Sequence, residues 1–190
     1  MARPSLHGGV PKRLAAHGRV AAGADKYESC GGQAGIVGAA PVILFLCDHN
    51  SARSQMAEGL LRAKAGRHVD TLSAGTEPAA RVNPFAIDAM REIGIDISGG
   101  RPKDVAEFLG RVPVRHLITV CHDADRRCPS IWPGVVTRVH WPIEDPAAFR
   151  GDEEATRARF REVRDELSRR IVQWIAEHRV DDPRPAAQGR

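Results

Sequence analysis

Val42-Ile43-Leu44-Phe45-Leu46-Cys47-Asp48-His49-Asn50-Ser51-Ala52-Arg53-Ser54 is the stretch from which the fold of this chain is read. Its first five residues form a continuous apolar run rich in β-branched and aromatic side chains, the pattern of a central strand buried on both faces. The run stops at Cys47. Asp48, His49, Asn50, Ser51 and Ala52 make a small polar loop, and Arg53-Ser54 open a helix that continues through Gln55, Met56, Ala57, Glu58 and Leu60. A cysteine at the end of a buried strand, with an arginine six positions later on a helix N-terminus, has a direct chemical reading. The backbone N–H groups of the loop, from Asp48 to Arg53, can converge on a tetrahedral oxyanion, and the helix end adds positive potential. Arg53 can fork two hydrogen bonds onto that anion's oxygens. The same field favours a thiolate and makes Cys47 a candidate nucleophile at neutral pH; thiols in comparable settings titrate at about 3.5–7.5. A purely structural cysteine belongs among apolar neighbours, and Asn50, Ser51, Arg53 and Ser54 are not apolar.

With that strand before it, Cys47-x5-Arg53-Ser54 resembles the oxyanion loop of the low-molecular-weight protein tyrosine phosphatases and of the arsenate reductases built on the same fold.

Outward from this stretch, 190 residues and 20.7 kDa suffice for one domain with a sizeable core. The sequence pI of about 9.2 suggests nucleic acid at first sight, but the charge is unevenly placed. Residues 1–40 carry Arg3, Lys12, Arg13, Arg19 and Lys26 against Asp25 and Glu28, which is +3 of the total net charge of +4. The remainder is close to neutral, so a basic footprint for nucleic acid is not expected. Residues 1–40 show no sustained periodicity and read as a disordered extension, with no assigned role for Cys30. They hold no apolar run of the length that a signal peptide or membrane span requires, and a cytoplasmic protein without membrane contact is expected. Residues 181–190 read as a flexible tail, and the domain proper as 41–180.

Within the domain, Val69 to Gly75 alternates like a strand and ends in a turn. Asn83-Pro84 starts a helix with Phe85, Ala86, Ala89, Met90 and Ile93 on one face and Gly94 as its stop. Ile95 to Ser98 is short and extended, and Pro102-Lys103-Asp104 is expected to begin another helix, apolar at Val105, Phe108 and Leu109. His116 to Val120 is a further buried strand ending at Cys121, and Val135 to Trp141 is one more. From Asp152 a long helix runs to about His178, with Phe160, Val163, Leu167, Ile171 and Trp174 at helical spacing. Strands alternating with helices predict an α/β domain, a doubly wound, mainly parallel four-stranded sheet with helices on both faces. On such sheets ligands bind at the C-terminal strand ends, where both Cys47 and Cys121 fall.

Cys121 and Cys128 lie seven positions apart in a polar, charged segment. In a cytosolic chain a static disulfide is not expected. Zinc is the alternative reading, with His122 and His140 as further ligands, but there is no histidine pair at metal spacing, and no metal or cofactor is predicted. A redox pair fits better, and Cys128-Pro129 favours extended backbone in a loop able to rearrange.

Cys47, Cys121 and Cys128 together resemble the thioredoxin-coupled arsenate reductases across most of residues 41–178. The resemblance includes Asn50-Ser51, Arg53 to Gly59, Ser73-Ala74-Gly75, Val82-Asn83-Pro84, and His140-Trp141 leading to Asp145-Pro146. It implies a phosphatase-like sheet, arsenate as substrate and thioredoxin as reductant, with a glutathione- or glutaredoxin-type system as the alternative; a monomer is expected. It also implies roles. Cys47 attacks arsenate held by the loop and Arg53, Ser54 hydrogen-bonds the thiolate, Asn50 braces the loop, and Asp145 protonates the departing oxygen. Cys121 then attacks Cys47 and releases arsenite, and Cys128 takes over the disulfide by thiol–disulfide exchange.

His49 and Ala52 depart from the residues common in the resembling loops. Some of those proteins hold a monovalent cation near the loop. Asn50, Glu58 and Ser73 match that region, while Lys103 stands where a carboxylate would complete it, so an ammonium could replace the cation and added potassium should change the rate little. Two rival functions are a phosphatase using Cys47, Arg53 and Asp145, and a non-enzymatic thiol redox sensor or metallothiol-binding module. The first needs neither Cys121 nor Cys128. It commonly has an aromatic pair beside the general acid, where this chain has Ala147-Ala148.

Overall fold

The structure, a computed structural model, describes residues 40–121 and 134–178. The sequence's extension and tail, together with Cys30, His122 and Cys128, lie outside the described residues. Four strands, β1 (Val42–Cys47), β2 (Asp70–Gly75), β3 (Val114–Thr119) and β4 (Thr137–His140), form one sheet in the order β2-β1-β3-β4. Every pairing is parallel. Among the described residues three α-helices accompany it: α1 (Arg53–Ala65), α2 (Pro84–Arg91) and α3 (Glu153–His178).

All six residues of β1 are buried, as its unbroken apolar composition requires of a strand flanked on both edges and covered on both faces. Its side chains alternate between two cores. Ile43, Phe45 and Cys47 join Met56, Leu60, Met90, Phe160, Leu167 and Ile171 from the three helices. Val42, Leu44 and Leu46 face the other way, onto Val105, Phe108 and Val112. The helical cover is therefore unequal. Among the described residues the α-helices all pack on the first face, and the second is closed by the segment around a three-residue 3-10 turn, Val105–Glu107.

That turn corrects the expected helix from Pro102. Lys103 N–H is spent on Asn50 Oδ1 at 2.8 Å, and its carbonyl accepts from Gly75 N–H at 2.8 Å, so the backbone here serves the neighbouring loop and strand instead of a helical ladder. Asp104 caps Ala106 N–H, and past Glu107 the chain continues only as irregular turns, with Gly110 at φ +73. Leu109, expected to face the core, is 36% exposed. Helix α2 also ends earlier than its apolar pattern suggests. Asn83 caps it by accepting from Phe85 N–H at 2.9 Å, and the helix stops at Arg91, where Gly94 (φ +77) donates back to Arg91 O. Ile93 thus falls beyond the packed face and stays exposed. No described helix is long and apolar enough to cross a membrane.

Candidate active site

The sheet order reverses direction between β1 and β3, so the crevice beyond the C-terminal end of β1 is the expected ligand position. Cys47 ends β1 and α1 begins at Arg53, with residues 48–52 as the turn between them. What shapes that turn is the fate of its carbonyls. The carbonyls of Cys47, Asp48, His49 and Ser51 accept from the backbone N–H groups of Thr76, Glu77, Ala79 and Asn83 at 2.8–3.3 Å. In a trans peptide the N–H of the next residue points opposite to the carbonyl. Drawing these four carbonyls toward the 76–83 segment therefore turns the N–H groups of Asp48, His49, Asn50 and Ala52 the other way. One of them is seen doing this: Asn50 N–H donates to Cys47 Sγ at 3.2 Å. Gly75 makes the close approach possible, because a Cβ there would lie 2.5 Å from Asp48 O and 2.9 Å from Asn50 N.

Asn50 is the hub of the loop. It is fully buried and holds φ +46, a left-handed conformation that asparagine tolerates better than most residues. Its Oδ1 accepts from Lys103 N–H at 2.8 Å and from Gln55 Nε2 at 3.1 Å. A backbone N–H can only donate, which fixes the amide's orientation and leaves Nδ2 to donate to Ser54 Oγ at 2.8 Å. Ser54 Oγ lies 2.9 Å from Cys47 Sγ, a contact in which either group can donate while the sulfur is a thiol and the hydroxyl donates to a thiolate. The Cys47 sulfur therefore lies within hydrogen-bond distance of a backbone amide and of a hydroxyl.

Arg53 is 4% exposed. Its Nη1 donates to Ile143 O at 3.0 Å, and its Nη2 lies 3.2 Å from Asp145 Oδ2 and 3.7 Å from Asp48 Oδ2. Asp145 also caps the 3-10 turn Pro146–Ala148 through Ala147 N–H. A tetrahedral anion seated on the loop would therefore meet a guanidinium, an array of amides and a carboxyl group able to donate or withdraw a proton.

Behind the loop, Lys103 is 8% exposed, and its Nζ lies 3.3 Å from Glu58 Oε2, 3.3 Å from Ser73 Oγ and 3.4 Å from Arg101 O. Glu58 also receives Arg62 and the Ser73 hydroxyl. The structure thus brings Glu58, Ser73 and Lys103 together and joins them to Asn50 through the Lys103 amide.

Cys121 follows β3 and is 3% exposed, in the same buried cluster as Cys47. Val120 N–H donates to Leu46 O at 2.8 Å, so Cys47 ends β1 and Cys121 lies just beyond the end of the neighbouring β3. His140 ends β4 with Nδ1 2.9 Å from Thr119 Oγ1. Three contributors were not legible in the sequence: the Asp48 side chain, the Ile143 carbonyl and Gly75 as the seat of the loop. A glycine closing a strand was visible, but what it packs against was not.

Residues 42–183 match the family model for low molecular weight phosphotyrosine protein phosphatases. An arsenate reductase of Halalkalibacterium halodurans is 46% identical over 131 residues, covering 68% of this chain and 91% of that protein. Among solved structures, an arsenate reductase in the oxidized state aligns at TM-score 0.62 and 31% identity, over 72% of this chain and 97% of its own. The thioredoxin-dependent arsenate reductase of Corynebacterium glutamicum aligns at TM-score 0.59 and 28% identity, over 77% of this chain and 66% of its own.

Proposed function

Because the chain belongs to the low-molecular-weight phosphotyrosine protein phosphatase family and stands with its arsenate reductases, we propose that it reduces arsenate to arsenite through three thiols, Cys47, Cys121 and Cys128, with thioredoxin as electron donor. The Cys47 thiolate attacks arsenic, an S–As bond forms, and one oxygen leaves as water after taking a proton from Asp145. The Cys121 thiolate then attacks the Cys47 sulfur. The S–As bond breaks, its electron pair stays on arsenic, which leaves as arsenite, and a Cys47–Cys121 disulfide remains. Cys128 attacks Cys121, frees Cys47 and forms a Cys121–Cys128 disulfide, which a thioredoxin dithiol reduces.

The observation that carries this reading is a sulfur held by a hydroxyl and an amide at the end of β1, with a second buried cysteine at the end of the adjacent strand. The buried Lys103 ammonium, between Glu58 and Ser73, takes the part of a monovalent cation beneath the loop. A phosphatase reading has its own support, since the loop, Arg53 and Asp145 are the parts that phosphate esters would use. Phosphate and arsenate have the same shape, so slow phosphatase turnover accompanies the main reaction.

The test is mass spectrometry of the full chain after arsenate treatment without reductant. A Cys121–Cys128 link is expected in the wild type and a Cys47–Cys121 link in Cys128→Ser. Steady turnover by Cys128→Ser with thioredoxin and its reductase would rule the relay out.

A further inference from the structure

We propose that the carboxylate of Asp48 determines specificity at the oxyanion site, selecting a compact, singly charged anion over a doubly charged one. The proposal rests on the reading of the Cys47 loop as an oxyanion site. Nη2 of Arg53 faces two carboxylates, Asp145 Oδ2 at 3.2 Å and Asp48 Oδ2 at 3.7 Å, while Nη1 is occupied by Ile143 O. The Asp48 and Asp145 side chains are 26% and 27% exposed against 5% for Arg53, so their field is only partly screened. Around one buried guanidinium, the protein places two carboxyl groups before any ligand arrives, and only that of Asp48 has no part in proton transfer.

The two acids differ in how they are held. Asp145 stands on a separate segment, capping the turn at Pro146–Ala148. Asp48 belongs to the loop itself. Its carbonyl accepts from Glu77 N–H at 2.9 Å and lies flush against Gly75, so the carboxylate has no backbone movement by which to withdraw. An anion on the loop amides and Arg53 must sit within Coulombic reach of it. The repulsion grows with each unit of ligand charge, by about fivefold in affinity per charge at the separations and effective dielectric of a partly exposed site. A small inorganic oxyanion can keep a proton and carry a single charge. A phosphate monoester, dianionic above roughly pH 6, feels the repulsion twice. Asp48 therefore biases the site toward inorganic oxyanions and away from phosphorylated protein side chains.

The test uses the full chain in a Cys47→Ser background, which removes the thiol's own charge, and inorganic phosphate as the probe. Binding is measured calorimetrically with and without Asp48→Asn, at low salt, at about pH 5.5 and about pH 8, either side of the second ionisation of phosphate. The expected gain from Asp48→Asn is about fivefold at the lower pH and about its square, ~25-fold, at the higher. Asp48→Glu keeps the charge and should keep the parent's pH response. An equal gain at both pH values, no gain, or no phosphate binding in any variant would overturn the proposal. A pH-dependent gain in a protein whose Cys47 form does not reduce arsenate would leave Asp48 its role and remove the reductase reading.

Discussion

Ser54 Oγ sits 2.9 Å from Cys47 Sγ because Asn50 and α1 both hold it there. Spacing in the sequence picked out Cys47, Arg53 and Ser54, since each occupies a position that a strand–loop–helix turn dictates. The contact of the Asn50 amide with Ser54 was not legible, because that amide is oriented by Lys103, 53 residues away in sequence. A hydrogen bond to a charged group contributes about 1.5–3 kcal/mol, or about tenfold or more in a rate that depends on it. Ser54→Ala is therefore expected to slow alkylation of Cys47 by iodoacetamide at neutral pH by about tenfold. Ser54→Thr, which restores a hydroxyl, should recover most of the rate. An unchanged rate in Ser54→Ala would mean that the hydroxyl does not stabilise the anion.

The loop's carbonyls accept from a segment that follows β2, so β2 and β1 shape the loop jointly. Strands β1 to β3 were legible as short apolar or alternating runs, and α3 from Phe160, Val163, Leu167, Ile171 and Trp174 at helical spacing, all of them buried. The segment after Pro102 was not. Its composition permits a helix, but long-range hydrogen bonds, from Lys103 N–H to Asn50 and from Gly75 N–H to Lys103 O, hold it extended. Gly75 is where this joint construction is most exposed to change. A methyl group there would meet two backbone atoms of the loop at 2.5 and 2.9 Å, neither of which can rotate aside as a side-chain end would. Gly75→Ala should consequently weaken phosphate binding by more than tenfold, through displacement of Asp48 and Asn50, while costing the fold about 1–3 kcal/mol, the usual range for overpacking. Calorimetric titration and urea unfolding separate the two effects. Binding within twofold of wild type would show that the loop tolerates the shift.

Over the whole molecule, the site at one end of the sheet is matched at the other by an aromatic latch that no sequence pattern announced. His116 of β3 lies 8% exposed, with its ring centroid 5.2 Å from Trp174 and 5.3 Å from His178 at the end of α3. Trp174 and His178 stack at 4.4 Å. A histidine opening a buried strand was visible. Its neighbours were not, because they come from a helix some 60 residues on. Burial, with added repulsion from His178 and Arg115, lowers the His116 pKa from 6.5 to about 4. The folded state thus refuses a proton that the unfolded chain accepts, so stability is full above about pH 6.5 and falls as the pH drops toward 4. At about 1.4 kcal/mol per unit of pKa difference, the loss approaches 3 kcal/mol at the lower limit, and about 2 kcal/mol of it falls between pH 6.5 and 5, above most carboxylate titrations. Urea unfolding of wild type and His116→Phe at both pH values checks this. The wild type is expected to lose stability across that interval, whereas the variant, whatever its absolute stability, should lose less by about that amount. Equal slopes in the two proteins would show that His116 takes up its proton without disturbing the packing of α3 on the sheet.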